Sequence, residues 1–289
     1  MTLAKVEGAP ALARWTGRIA LFSLVVAVVA IIGHRLFGMA TPVLMSLLLV
    51  AFAGAMLGLV LALFASVPIW RNGGTGAARI VIAIVIGLGM IAWPLSFYPQ
   101  LKRLPTLNDV TTDTADPPAF VVLTSVRTGT AANGITYNRV FAQRQHKAYP
   151  DIQPMLVNRS VEETFDLVVN AVRRMRMRIV SETPPDEQNG MGTLEAVDRT
   201  LIMGFRDDVA VRVTGSTVSS RVDIRSASRY GRHDLGRNVK RVRDLMREIV
   251  VMLESTIPGA AENRRKHRRN DAKPSARKGA DRKKEAPRR

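Results

Sequence analysis

The residues best placed to do chemistry lie late in the chain: Arg225, Ser228, Arg229 and Asp234, within Arg225-Ser226-Ala227-Ser228-Arg229-Tyr230-Gly231-Arg232-His233-Asp234. Two guanidiniums beside the free amides of a helix start could hold a carboxylate or a phosphate, because arginine forks and helix amino termini both favour anions. Gly231 and Gly236 would permit close backbone approach there. The competing reading is structural: Asp234 caps the helix that follows, while Arg225 and Arg229 pair with Asp207, Asp208 or Asp223 and fix the turn. An aspartate beside an anion site repels the ligand the site should hold, which favours the structural reading.

Other chemistry is poorly provided for. Ser228, His233 and Asp208 are the residue types of a hydrolytic triad, but no GxSxG elbow surrounds the serine and no spacing brings the three together. No catalytic residue is therefore assigned. The 289 residues include no cysteine and only four histidines, which excludes disulfides, thiolate nucleophiles and thiolate zinc sites, and no metal or cofactor is expected. Gly73-Gly74-Thr75-Gly76 lacks the Lys-Ser or Lys-Thr of a phosphate loop and reads as a turn. Asn158-Arg159-Ser160 fits a glycosylation acceptor, but Ser160 is better used as a helix cap. Arg173, Arg174 and Arg178 read as a solvated helix end in preference to a phosphate site.

The elements that must position these residues follow from how charge is distributed. The net charge of +18 divides into +5 over residues 1–101, +4 over 102–258 and +9 over 259–289. Apolar residues crowd the first zone, in runs about 19–37, 43–69 and 80–99. Crossing roughly 30 Å of hydrocarbon takes about 20 apolar residues, so the zone predicts a three-helix membrane anchor spanning 1–101. Read otherwise, Lys5, Arg14 and Arg18 begin a signal peptide cleaved after Gly38-Met39-Ala40. Lys5, Arg14, Arg18, Arg71 and Arg79 fall on one side and Arg35, Lys102 and Arg103 on the other. The positive-inside rule then puts the amino terminus in the cytoplasm and the carboxyl half outside, and the cleaved alternative gives the same result. Gly54, Gly58, Ala62 and Ser66 recur every four residues and form a face for close helix packing, expected to meet Ala83 and Gly87 of the third span. The spans contain no Asp, Glu or Lys, which argues against a transporter and for an anchor.

Residues 102–258 predict an α+β domain, an antiparallel sheet with two helices on one face. Phe120 to Val126 is Val-rich and reads as a strand, and Thr128 to Asp151 mostly as loop. Ser160-Val161-Glu162-Glu163 has capping-box spacing, and Val161, Phe165, Val168, Val172 and Met175 then keep helical period. Strands are expected over Ile179 to Thr183, Gly192 to Met203, Val209 to Thr214 and Thr217 to Ser226, with Gly215-Ser216 as a two-residue hairpin turn. A second helix follows from Leu235 to about Ser255.

Leu107-Asn108-Asp109-Val110-Thr111-Thr112-Asp113 with Asp116-Pro117-Pro118-Ala119-Phe120, then Phe205-Arg206-Asp207-Asp208-Val209, then the run from Arg225 to Asn238, resemble the segments of the bacterial domain of unknown function family 1499. The resemblance covers roughly 105–255 in order. It implies a domain often preceded by a membrane segment and assigns no activity.

Residues 259–289 carry Arg264-Arg265-Lys266-His267-Arg268-Arg269 and no aromatic residue, so they are expected to remain a disordered basic tail. Such a tail could contact anionic lipid headgroups, and without stacking residues it gives little support for nucleic acid. The sequence thus predicts a multi-pass protein of the bacterial inner membrane. Its non-catalytic domain would face the periplasm and bind an anionic small molecule or an envelope component. The alternatives are an enzyme using the Arg229 and Asp234 region, and a cytoplasm-facing protein acting through its tail.

Overall fold

The computed structural model describes residues 11–72, 76–127, 131–186 and 190–256; the expected tail, 259–289, lies outside them. Three helices, α1 (Ala11–Leu36), α2 (Thr41–Asn72) and α3 (Ala77–Leu95), are long and apolar enough to cross a membrane. The 32 residues of α2 extend about 48 Å, more than one hydrocarbon thickness. Large apolar side chains such as Leu49, Leu63, Phe64 and Val85 point outward, while alanines fill the inside, as expected where lipid replaces water and close packing replaces the hydrophobic effect.

The small-residue face of α2 divides between two neighbours. Gly54 and Gly58 receive α1: a Cβ on Gly54 would collide with Ser23 Oγ, and one on Gly58 would lie 3.5 Å from the Cβ of Ala20. Only Ala62 joins Ala83 and Ile80 of α3 in a shared cluster, and Gly87 instead receives Leu59. The expected packing of the whole face on α3 is corrected for a physical reason. Helix α1 also carries a buried alanine stripe, Ala13, Ala20, Ala27 and Ala30, and so makes the closest approach.

A short helix α4 (Tyr98–Arg103) leads into a six-stranded antiparallel sheet. Its strands are β1 (Asp109–Thr111), β2 (Met155–Val157), β3 (Arg178–Thr183), β4 (Met191–Arg199), β5 (Arg206–Gly215) and β6 (Ser220–Ser228). Their order is β1-β6-β5-β4-β3, with β2 also on β6. Helices α6 (Val161–Arg174) and α7 (Arg237–Ser255) cover one face. Val209, Val211, Val213, Val222 and Ile224 point into the core they share with Phe165, Val168, Val172, Val242, Leu245 and Ile249. Ser160 Oγ accepts the amide of Glu163 at 3.2 Å and starts α6 as its spacing predicts.

Several local expectations are corrected. Phe120 to Val126 is no strand: Val122–Val126 is a 3₁₀ turn, because the Glu195 carboxylate on β4 captures the amides of Val121, Val122 and Leu123 at 2.8 to 2.9 Å. The stretch expected to be loop contains helix α5 (Val140–Ala148), from which buried Gln145 bonds both backbone groups of Thr111. Gly215 pairs with Ser220 across a four-residue loop, not a two-residue turn. Strand β4 stops at Arg199, and 200–205 is a turn with its own role.

That turn is what joins the domain to the helices. Met203 packs among Ala27, Ala30, Leu44, Leu48 and Ala51 of α1 and α2. His34 is buried beside it, with Nδ1 2.7 Å from the Met203 carbonyl and Nε2 2.9 Å from Thr41 Oγ1. A carbonyl can only accept, so Nδ1 carries a proton. Arg35 donates to the Thr200 carbonyl at 2.8 Å, and Arg199 donates to the Arg35 carbonyl at 2.7 Å. Gly204, at φ +72, sits so close to α1 that a Cβ would lie 3.2 Å from the Arg35 Cα. The domain is therefore docked on the corner where α1 ends and α2 begins.

Candidate functional site

The face of the sheet away from α6 and α7 is covered too, by the segment between β1 and α5, and it contains a buried ionic layer. Arg225, on β6, forks onto Asp109 with Nη2 2.7 Å and Nε 3.1 Å from the carboxylate, and donates to the Pro118 and Ile135 carbonyls. Its guanidinium lies over the Phe120 ring at 4.6 Å. Burial pushes the Asp109 carboxyl above its ordinary range, with Arg225 acting against it. Asp208, fully buried on β5, accepts from Arg127 Nε at 2.8 Å and from Arg229 Nη2 at 2.7 Å, one guanidinium per oxygen.

Where β6 passes into α7, Asp234 closes the turn: one carboxylate oxygen accepts the amide of Gly236 at 2.8 Å and the other that of Asn238 at 2.9 Å. Burial raises its carboxyl above the usual range, opposed by those two amides. Ser228 Oγ receives the Asn238 side chain at 3.0 Å. Asp207 binds Arg241 at 2.7 Å, and Arg241 also bonds Asp198. Of the four tentative binding residues, Arg225 and Arg229 thus have carboxylate partners, and Asp234 serves the backbone. His233 is held by its own neighbours, with Nδ1 accepting the Leu235 amide at 2.9 Å and Nε2 3.3 Å from the Leu104 carbonyl. Ser228, His233 and Asp208 each bond to other groups and not to one another.

Ser228, Asp234 and His233 nevertheless share one wall of a cavity of about 550 Å³ at the seam between domain and bundle. Pro42 and Met45 of α2 line it from the bundle, and Phe205 and Arg206 also contribute to the lining. Arg206 is the functional candidate the sequence did not single out. Desolvation, and then the like charges of Arg199, Arg229 and Arg178, hold its guanidinium below the ordinary arginine value, with Asp208 acting against them. Among the described residues neither Arg206 nor Arg237, which also lines the cavity, forms an ion pair, although each faces the lining. The pairing Arg199↔Arg206 across β4 and β5 places two cations side by side at the strand ends nearest the bundle. The signal that could have pointed here was Leu201-Ile202-Met203, an apolar run at a hairpin tip where polar residues are the rule.

Among the described residues no group of three or more His, Asp or Glu side chains could hold a metal ion. A protein-family model described as Protein of unknown function (DUF1499) matches residues 109–249, and those residues form a domain of that family. No curated protein matches the chain.

Proposed function

We propose that this DUF1499 domain is a non-catalytic binding module, held by its three-helix anchor against the periplasmic face of a bacterial inner membrane, and that it binds an anionic component of the envelope. The observation that carries the proposal is the seam cavity: it is apolar on the α2 side and lined by two arginines, Arg206 and Arg237, that lack ion-pair partners among the described residues. Arginines without an ion-pair partner favour an anion by charge complementarity. The non-catalytic part is supported by the commitments of Ser228, His233 and Asp208, each bonded elsewhere, so that Ser228 is not hydrogen-bonded to His233 as a base.

The periplasmic side is supported by the positive-inside rule. Arg14, Arg18, Arg71 and Arg79 gather at the end of the bundle away from the domain. Arg35, which weighed against that orientation, is engaged in docking through the Thr200 carbonyl. Reporter fusions after Ser255 test the orientation: activity of an export-dependent reporter is expected, and activity confined to a cytoplasmic reporter would overturn it. Native mass spectrometry of the detergent-solubilised full chain tests the binding. A co-purified anionic adduct, lost from Arg206→Gln, is expected; a clean apo mass from gently extracted protein would count against binding.

A further inference from the structure

We infer that the seam cavity is a site for an anionic phospholipid drawn from the leaflet on which the domain sits, its phosphate on Arg206 and Arg237 and the start of its chains against Pro42, Met45 and Phe205. The inference rests on the reading of this cavity as the binding site and names its ligand.

Three observations point to a lipid and not to a soluble anion. First, one wall of the cavity is the first turn of α2, a helix whose outward side chains, Val43, Met45 and Leu49 among them, are exposed apolar residues. The cavity therefore continues onto a surface that lipid chains must cover. Secondly, the hairpin tip beside it exposes Leu201 (81%) and Ile202 (58%) while Met203 is anchored inside the bundle. Exposed apolar side chains flanking a helix end suit the acyl boundary of a bilayer and not water. Thirdly, Arg206, whose cross-strand partner is Arg199, and Arg237 line the same cavity as Pro42, Met45 and Phe205, so that charge and apolar carbon meet in one lining. A headgroup with its chains presents both charge and apolar carbon to such a lining; inorganic phosphate presents only charge.

The two carboxylates in the lining do not oppose an anion strongly. Asp207 is neutralised by Arg241 at 2.7 Å, and Asp234 directs both oxygens at backbone amides. The volume, about 550 Å³, lies in the range of small-molecule sites and suits a glycerophosphate headgroup with its first methylenes. Phosphate on arginine is a charge-assisted contact, and each cation near an anionic membrane surface favours binding by roughly five-fold.

The full chain is reconstituted in nanodiscs of phosphatidylcholine with one-fifth phosphatidylglycerol, and the lipid retained after delipidation is identified by native mass spectrometry. Phosphatidylglycerol should be retained well above its bulk fraction, and Arg206→Gln with Arg237→Gln should reduce that enrichment about thirty-fold. Arg174→Gln, which changes an exposed arginine outside the cavity, should leave it unchanged. Met45→Trp, which fills the α2 side of the cavity while keeping both cations, should also abolish retention. Retention of the two lipids in their bulk ratio would overturn the inference and leave open that the cavity binds another anion. Displacement by millimolar inorganic phosphate would overturn it in favour of a soluble anion, in which case the cavity remains a binding site. If neither lipid nor phosphate binds, the underlying reading of the cavity fails as well.

Discussion

Removing the charge of Asp208 should be among the most damaging conservative changes available to the domain. Its carboxylate is wholly buried and its two oxygens serve Arg127 and Arg229, themselves buried, at 2.8 and 2.7 Å. Asp208→Asn preserves shape but leaves two guanidiniums sharing a dry site with no countercharge. Breaking one buried pair costs about 3 to 5 kcal/mol, a large part of a domain's total stability of roughly 5 to 15 kcal/mol. For a domain of about 150 residues each kcal/mol moves Tm by roughly 2 to 4 °C, so the drop should be about 6 to 20 °C. The three tryptophans, Trp15, Trp70 and Trp93, all lie in the bundle, so their fluorescence does not report on the domain. Calorimetry or circular dichroism of the full chain in nanodiscs does. The control is Asp151→Asn, whose partner Arg243 holds it at 2.6 Å on the surface. Exposed pairs contribute at most about 1 kcal/mol, so that variant should stay within a few degrees of the parent. If Asp208→Asn matched the control, the buried layer would not be what holds the second face of the sheet, and the structural assignment of Arg229 would fail with it.

Other expectations follow from the docking corner and the surface charges. Gly204→Val adds a Cβ 3.2 Å from the Arg35 Cα at φ +72, so the 199–206 turn should lift off α1. Hydrogen exchange in that turn should accelerate while β5 and β6 stay protected; unchanged exchange would mean the contact is not tight. With Trp15, Trp70 and Trp93 replaced by Phe, Leu201→Trp places the one indole on the exposed hairpin tip, and brominated lipids should quench it if the tip reaches the acyl boundary, whereas quenching by aqueous iodide alone would place it in water. Burial pushes Asp113 up, but the amides of Asp116 and Ala115 and the guanidiniums of Arg221 and Arg212 outweigh it, and its carboxyl titrates below the ordinary 3.8. The folded domain therefore binds that proton less tightly than the unfolded chain. The stabilisation is complete above about pH 4 and lost as pH falls through the lowered value. Asp113→Asn should accordingly flatten the acid side of the Tm profile, and an unchanged slope would assign the acid loss to other carboxylates.

What was legible in the sequence was whatever depended on neighbours a few residues away. The cap at Ser160 and the alternation of Val209, Val211 and Val213 are local statements, and both survive folding because nothing distant competes with them. Phe120 to Val126 is the contrary case. Its valines favour a strand, but one carboxylate from β4, more than seventy residues away, collects three consecutive amides and imposes a turn. The pairing of Arg225 was legible as a need and not as a solution: a buried guanidinium requires a carboxylate, but the one it finds is Asp109, 116 residues earlier, and not one of the nearby aspartates.

The same distinction explains why the cavity escaped notice while the turn beside it did not. Asp234 is visible because its partners, the amides of Gly236 and Asn238, lie two and four residues on at the start of α7. Arg206 acquires meaning only when β5 is laid against β4, which brings Arg199 alongside, and when Met203 is driven between α1 and α2, which sets Pro42 and Met45 opposite. Neither step leaves a periodic trace. What does remain is a conflict of levels. Thr200-Leu201-Ile202-Met203-Gly204-Phe205 is too apolar for a solvent-facing hairpin tip and too short and bent for a strand end. A turn of that composition is stable only if something apolar receives it, and the bundle supplies a pocket for Met203 but none for Leu201 or Ile202. On the proposed reading those two side chains meet the bilayer, and the arginines flanking the turn, Arg199 and Arg206, then lie at the level of lipid phosphates.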